Sequence, residues 1–332
     1  MGPESERRAA GRFPAGDGGD RFGATVTTTL LILNPESGRG LGRKLRPRIE
    51  RGLRDAGIQF DLVETTGPGH AVALAKEAAV AGVARVLCGG GDGTIHETAN
   101  GLLQAPPAAD GATGPALGVI PIGTGNDFAK LVGVFKEPPA TAAARMAAAT
   151  PHRYDVGRVI GEYFTNSLGI GFDAEVVRHA LRLTHLRGFA VYVVAVYKTF
   201  VTFRAPVLEV ESSVHRETGP MMMLECSIGV CAGGGFYLTP TADPSDGLLD
   251  VCLIRKVGLL KFLRYVPLVM RGDHTGLAEV AMFKTPSLTI RSPAAPLLLH
   301  LDGELRTPEP RAIDITLEAR RLRVLVAPGA GA

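Results

Sequence analysis

Asp92 is the residue best placed for chemistry, because of its neighbours in Cys88-Gly89-Gly90-Gly91-Asp92-Gly93-Thr94. Adjacent glycines let the main chain take φ > 0 and let a phosphate approach backbone N–H groups closely. The apolar run at 84–87 reads as a buried strand, and Ile95 to Leu103 suits a helix. A strand–glycine turn–helix offers N–H groups and a helix N-terminus to an anion. A carboxylate beside phosphates is repulsive unless a divalent cation lies between them, so Asp92 is expected to handle Mg²⁺. A tight turn with Asp capping the helix is the plainer alternative. Three successive glycines and the Asp-Gly-Thr exit favour the functional reading.

Two further loops share this character. Asn34-Pro35-Glu36-Ser37-Gly38-Arg39-Gly40 follows a β-branched and apolar run, Thr25 to Leu33. Leu41, Leu45, Ile49 and Leu53 then recur every four residues, with Arg or Lys on the other face, as in an amphipathic helix. Arg43 and Lys44 read as a solvated basic face. Pro121-Ile122-Gly123-Thr124-Gly125-Asn126-Asp127-Phe128 follows a strand at Ala116 to Ile120. Between these, Ile58 to Val63 reads as a strand and Ala71 to Val80 as an Ala-rich helix. His70 at that helix start is read as structural.

Strand, loop and helix therefore repeat four times in roughly 110 residues. This predicts a doubly wound α/β sheet, with ligands at the carboxyl ends of its strands. All three loops fall at such ends. After about His152 strands follow one another, and alternation predicts a mainly antiparallel sandwich. The expected strands are Tyr154–Ile160, Tyr163–Ile170, Val207–Ser213, Met222–Cys231, Leu248–Ile254, Ser287–Arg291 and Leu297–Leu301. Helical insertions are expected near 173–203 and 258–271, and Ala312 to Val326 is again strand-like. The division is a disordered tail at 1–23, a nucleotide-binding domain at 24–153, a β-rich substrate domain at 154–311 and a last strand at 312–327 that could return to the first domain.

Composition narrows the class. The chain has 332 residues, 45% hydrophobic and 21% charged, with a formal charge of +3, so net charge gives no nucleic-acid footprint. Cys88, Cys226, Cys231 and Cys252 form no CxxC pair, so buried reduced thiols are expected and a zinc site is not. The first 23 residues lack the apolar core of a signal peptide. No run reaches the ~20 apolar residues of a membrane span. A soluble protein follows from this reading.

No glycine loop ends in the GK[ST] of a Walker A sequence, and the protein-kinase signatures are missing. Asn34-Pro35-x-Ser37-Gly38, Gly90-Gly91-Asp92-Gly93-Thr94 and Pro121-x-Gly123-Thr124-x-Asn126-Asp127 together resemble the catalytic domain of the diacylglycerol kinase and sphingosine kinase superfamily, most of all its soluble bacterial branch. GGDG alone is shared with NAD kinases and phosphofructokinases; PxGTxND separates this chain from both. The resemblance spans most of 25–327, including Asp302-Gly303-Glu304.

The resemblance implies an NAD kinase/phosphofructokinase-like first domain and ATP-dependent phosphorylation of a lipid hydroxyl, of diacylglycerol or a related lipid. It carries nucleotide contacts to Asn34, Pro35, Glu36, Ser37 and Gly38, to Thr65, to Gly91, Asp92, Gly93, Thr94, Ile95, His96 and Glu97, and to Thr124. His96 departs from the Asn or small residue usual there. Asp92 and Asp127 match acids linked to catalytic Mg²⁺, and Asp155 is a candidate to join them. Glu304 matches the general base; a carboxylate on a turn after the apolar strand 297–301 could take a hydroxyl proton, although Asp-Gly alone also makes a hairpin. A structural Mg²⁺ loop matches Asp243, Asp246 and Leu248, with Ser245 where Asp is usual.

Phe189, Tyr192, Tyr197, Phe200 and Phe203, flanked by Arg187, Lys198 and Arg204, and the segment 258–271 mix aromatic, aliphatic and basic residues. That pattern suits an anionic lipid surface and equally suits core packing. The expected partner is a lipid substrate at the membrane surface, with a cytoplasmic protein at the inner face, no nucleic acid, and a homodimer left open. Two rival functions are an NAD kinase-like enzyme with a soluble acceptor, which PxGTxND disfavours, and a non-catalytic lipid or nucleotide regulator, which Asp92, Asp127 and Glu304 disfavour.

Overall fold

The structure, a computed structural model, describes residues 28–106, 114–183 and 190–329. The expected tail at 1–23, the first residues of the run from Thr25, and Arg187 and Phe189 lie outside the described residues. The first layer is a parallel sheet of β1 (Thr29–Leu33), β2 (Asp61–Glu64), β3 (Arg85–Gly90) and β4 (Ala116–Pro121), ordered β2-β1-β3-β4. The connecting helices are α1 (Ser37–Asp55), α2 (His70–Val80) and α3 (Asp92–Leu103). Alternate residues of β1 face opposite ways. Leu31 and Leu33 join Ile49 and Leu53 of α1 in one core, while Leu30 and Ile32 join Leu74 and Ala75 of α2 in another. A sheet buried on both faces explains the continuous apolar run. Each such side chain contributes about 1.5–3 kcal/mol by leaving water.

Gly38, Arg39 and Gly40 have positive φ, so regular helix in α1 begins after them, where the four-residue leucine spacing starts. Two short helices that the pattern does not reveal, α4 (Asp127–Leu131) and α5 (Pro139–Ala147), follow β4.

The second layer system begins with β5 (Thr150–Val159), β6 (Glu162–Phe164), β7 (Ser167–Gly171), α6 (Phe172–Ala180) and α7 (Ala190–Thr202). It continues through β8 (Val207–Glu211), β9 (Arg216–Ser227), β10 (Leu249–Arg255), α8 (Leu259–Val269), β11 (Val280–Thr285), β12 (Ser287–Arg291), β13 (Leu299–Leu301), β14 (Glu304–Leu305) and β15 (Ala312–Val326). β9 serves two sheets: its first residues pair with β8, and its last with β7 and β10. Leu168, Leu224 and Val251 from one sheet meet Leu208, Ile290 and Ile315 from the other in a sandwich core. β11 was not expected from the sequence.

The expected strand 163–170 is broken into β6 and β7. The cause is remote: the Asp302 carboxylate accepts the N–H groups of Thr165, Asn166 and Ser167 at 2.8–3.2 Å, replacing ladder bonds. β15 runs antiparallel to β12 and β5 and, at Val324, parallel to β4 beside Leu117. The parallel sheet is thus extended by a strand from the far end of the sequence. All four cysteines are free and buried. Among the described residues no helix is long and apolar enough to cross a membrane.

Candidate active site

The three glycine loops abut at the carboxyl ends of β1, β3 and β4. Asn34 Nδ2 donates to Thr94 Oγ1 at 2.9 Å, and its Oδ1 accepts the Glu36 N–H at 3.0 Å, an Asx turn. The Gly91 N–H donates to Ser37 Oγ at 3.3 Å. A Cβ on Gly123 would stand 2.6 Å from the Gly91 Cα, so side chains at either position would separate the loops. Asn126, at φ 53, closes the third loop by accepting from the Gly123 N–H at 2.9 Å and donating to its carbonyl at 3.0 Å.

Two carboxylates converge here. A Cβ on Gly125 would lie 2.9 Å from Asp92 Oδ2 and 3.5 Å from Asp127 Oδ2. Asp92 accepts the Phe128 N–H at 3.3 Å. Asp127 is held by Lys130 Nζ at 2.6 Å and by the Gly234 N–H at 3.0 Å. Burial and the charge of Asp127 push Asp92 up to about 7, against the backbone donors of Phe128 and Asn126. Two carboxylates sharing one ammonium offer hard oxygen donors under residual negative charge, which fits a Mg²⁺ ion.

Glu304 arrives from the other domain. β13 and β14 form a hairpin whose turn residues, Asp302 and Gly303, have φ 50 and 85, matching a two-residue turn with positive φ at both positions. The hairpin sends Glu304 against α3: a Cβ on Gly93 would be 2.4 Å from Glu304 Oε1. Glu304 keeps an exposed edge at the cleft, yet the desolvation of its carboxyl against the cavity wall raises it above its ordinary range, opposed by the positive charge of Arg306. Asp302 is 8% exposed and locks the turn. Burial would raise it too, but the hydrogen bond from His96 Nδ1, with the N–H groups of Thr165 and Asn166, holds it below the carboxylate range.

His96 does not face the phosphate loops. It is buried, with Nδ1 2.8 Å from Asp302 Oδ2. Its Nε2 is 2.5 Å from Arg306 NH2 and 3.6 Å from Glu162 Oε2. A guanidinium can only donate, so the Arg306 contact places the lone pair on Nε2 and the proton on Nδ1, toward Asp302. Burial disfavours a second proton while Asp302 and Glu162 favour one, lifting the ring to about 9. The Arg306 donor competes directly with that protonation, and the geometry is that of the neutral ring. The Glu97 carboxylate accepts the N–H groups of Gly69 and Ala71 at 2.8 and 3.3 Å, at the start of α2. Ile95 is buried in the core, Thr65 and Thr94 are buried, and Thr124 is exposed at the loop tip. His70 Nδ1 accepts the Thr66 N–H at 3.0 Å, a structural role.

Asp155 does not join the Asp92–Asp127 pair. It accepts the Arg320 N–H at 2.6 Å and the Gly247 N–H at 2.7 Å, tying β15 to the loop after residue 243. In that loop the cation at Asp246 is an ammonium. Lys284 Nζ lies 2.7 Å from Asp246 Oδ2 and 3.1 Å from Asp250 Oδ2, and 3.3 Å from the Thr241 carbonyl. Asp246 Oδ1 accepts the Leu248 N–H at 3.0 Å, and Asp243 Oδ1 accepts from Ser245. Lys284 offsets one of the three carboxylate charges of Asp243, Asp246 and Asp250, so a divalent ion held by Asp243, Asp246 and Leu248 would share the loop with this ammonium or displace it.

Asp92, Asp127 and Glu304 share one cavity of about 240 Å³. Its inner walls are Phe172, Val196, Met223, Phe262 and Val266 from α6, α7, β9 and α8. Outside it, Leu259, Leu260 and Leu263 of α8 and Val194, Tyr197 and Val201 of α7 are exposed. Lys130, Asp302 and Arg306 were not singled out from the sequence. Asp302 had a signal there, since it adjoins Glu304 in the same turn.

Residues 28–159 match the diacylglycerol kinase catalytic domain. Residues 166–326 match a domain described as the YegS C-terminal NAD kinase beta sandwich-like domain. The chain is 30% identical over 275 residues to a protein of Bacillus subtilis named diacylglycerol kinase, covering 82% of this chain and 88% of that one. It is 33% identical over 278 residues to a probable YegS-like lipid kinase of Chromohalobacter salexigens, covering 83% and 86%. A solved putative diacylglycerol kinase from Bacillus anthracis shares the fold, with a TM-score of 0.74 at 23% identity over 92% of this chain and 99% of that one.

Proposed function

The chain belongs to the diacylglycerol kinase family and is a lipid kinase with ATP as phosphoryl donor, and from that premise we propose how its residues divide the work. ATP lies across the loops 34–38, 91–97 and 121–127, in a domain of residues 24–153. The lipid enters the domain of residues 154–311, and 312–327 completes the first sheet. The convergence of Asp92, Asp127 and Glu304 on one cavity with apolar inner walls carries this reading.

The backbone N–H groups of the glycine turns and the N-terminus of α3 orient the phosphates. Asp92 and Asp127 would hold Mg²⁺, which neutralises developing charge on the phosphates. Glu304 takes the proton of the lipid hydroxyl as its oxygen bonds the γ-phosphorus and the bond to ADP breaks. A raised proton affinity makes Glu304 a stronger base. Asp302 fixes the hairpin that aims Glu304, and His96, Arg306 and Glu162 fix Asp302. Among the nucleotide-loop residues, Ile95, His96 and Glu97 act through packing and capping, while Asn34, Ser37, Thr65, Thr94 and Thr124 line the approach. The exposed apolar residues of α7 and α8 rest on the membrane surface that supplies the lipid.

ADP release with ATP and Mg²⁺ across lipid hydroxyls in mixed micelles tests this. Release should depend on a lipid acceptor and fall by 10²–10⁴ in Glu304→Gln. Turnover near wild type in that variant, with the fold intact by circular dichroism, would remove Glu304 from the role.

A further inference from the structure

The polar group that the transfer mechanism leaves unused lies deeper in the same cavity. Asp173 of α6, Glu225 of β9 and His300 of β13 bring one ligand-type atom each within 4.8 Å of one another. They meet over Gly169 of β7, where a Cβ would stand 2.1 Å from Asp173 Oδ2, 2.4 Å from His300 Nε2 and 2.7 Å from Glu225 Oε2. A metal centre is one possible use of such a trio, and the hydrogen bonds speak against it. The Gly303 N–H donates to His300 Nδ1 at 3.2 Å. A backbone N–H only donates, so the ring proton sits on Nε2 and points at Asp173 Oδ2, its close partner. That nitrogen has no lone pair for a metal while this bond stands.

The charge of the trio sits on one residue. Glu225 is fully buried, against Asp173 and Ser167. Burial and the neighbouring Asp173 raise its pKa well above the ordinary range, which disfavours a charge on it. Burial would raise Asp173 as well, but His300 holds it down. The Asp173 side chain keeps 18% exposure against 3% for His300, and both line the cavity. Asp173 is thus a carboxylate in an otherwise apolar wall. Among the described residues no Lys or Arg lines that cavity, whose other ionisable lining groups are Asp92, Asp127, Tyr265, His300, Asp302 and Glu304.

We infer that Asp173, backed by His300 and Glu225, makes the acceptor pocket select lipid alcohols that carry no negative charge. The inference rests on reading this cavity as the acceptor pocket. A phosphodiester headgroup drawn to the inner wall would bring a second negative charge toward Asp173, with no Lys or Arg among the described lining residues to meet it. Like charges roughly 5 Å apart at an effective dielectric of about 20 discriminate on the order of 100-fold. An uncharged diacylglycerol pays no such penalty.

The test uses the full chain with two short-chain lipids below their micellar limits, dioctanoylglycerol and dioctanoylphosphatidylglycerol. Both the shift in melting temperature on lipid addition and ADP release are read. In the wild type the neutral lipid should raise the melting temperature and the anionic one should not, with rates differing at least tenfold. In Asp173→Asn the rate ratio should fall at least tenfold, and a thermal shift with the anionic lipid should appear. Glu225→Gln keeps the pocket charge and should keep the wild-type ratio. Equal binding of both lipids by the wild type, or an unchanged preference in Asp173→Asn, overturns the inference. So does relaxation in Glu225→Gln as large as in Asp173→Asn, since packing would then be the cause. If neither lipid releases ADP, the proposed acceptor class fails, while the thermal shifts still decide the charge selection.

Discussion

Asp92 shows how far a single residue can be read from its neighbours. Its loop is local in sequence, so glycines, strand and helix all announce it. Its electrostatics are not local, because Asp127 stands 35 positions later in the chain. The consequence is a pH signature. With a folded-state pKa of about 7 against roughly 3.9 unfolded, the folded protein binds more protons between those values. Stability therefore falls as pH rises from about 4 to about 7 and is level above. Asp92→Asn lacks this loss. Its melting temperature should match wild type near pH 4 and exceed it at pH 8, with Mg²⁺ narrowing the gap by stabilising the wild type. Parallel curves across that range would show that Asp92 carries no such strain. The same variant should lose phosphoryl transfer. His96 shows the opposite limit of legibility. It sits inside the signature loop, yet its partners Asp302, Arg306 and Glu162 come from the second domain, and nothing near position 96 reveals them.

Elements were legible where one pattern decided them. β1 to β4 and the leucine face of α1 follow from apolar runs and four-residue spacing. Tyr163 to Ile170 alternates well enough for one strand, and the break into β6 and β7 is made by Asp302, 135 residues from Ser167. The acids of the loop 243–248 are local in sequence, while Lys284 on β11, 38 residues from Asp246, is announced by nothing near them. Removing Lys284 leaves Asp250, 3% exposed, without its cation. Lys284→Ala should cost about 2 kcal/mol, a few degrees in melting temperature. Made in an Asp92→Asn background, which silences the cleft, it should also acquire stabilisation by millimolar Mg²⁺ or Ca²⁺ that the background lacks. A background already stabilised by those ions would mean that Lys284 yields the site.

At the scale of the molecule, the two sequence patterns, helix-alternating and strand-following, correctly separate an α/β layer from a β sandwich. What no local pattern gives is that the layers share a strand. β15 lies along β5 from Thr316 to Val326 and touches β4 at Val324, with a register shift between Glu318 and Leu322 where Asp155 holds Arg320. Cutting the chain after residue 311 would strip β5, β12 and the edge of β4 of their partner at once. Such a truncation should abolish cooperative thermal unfolding rather than lower its midpoint, as circular dichroism would reveal. A sharp transition in the truncated chain would mean that the first domain folds alone.

That shared strand also sets a timetable for biosynthesis. A ribosome emits residues in order at roughly 5–20 per second, and the edge of β4 waits for residues 312–326. Roughly 190 residues of β-rich chain emerge in between. The α/β half is made first and finished last, and for that interval its β4 edge is open to any passing strand.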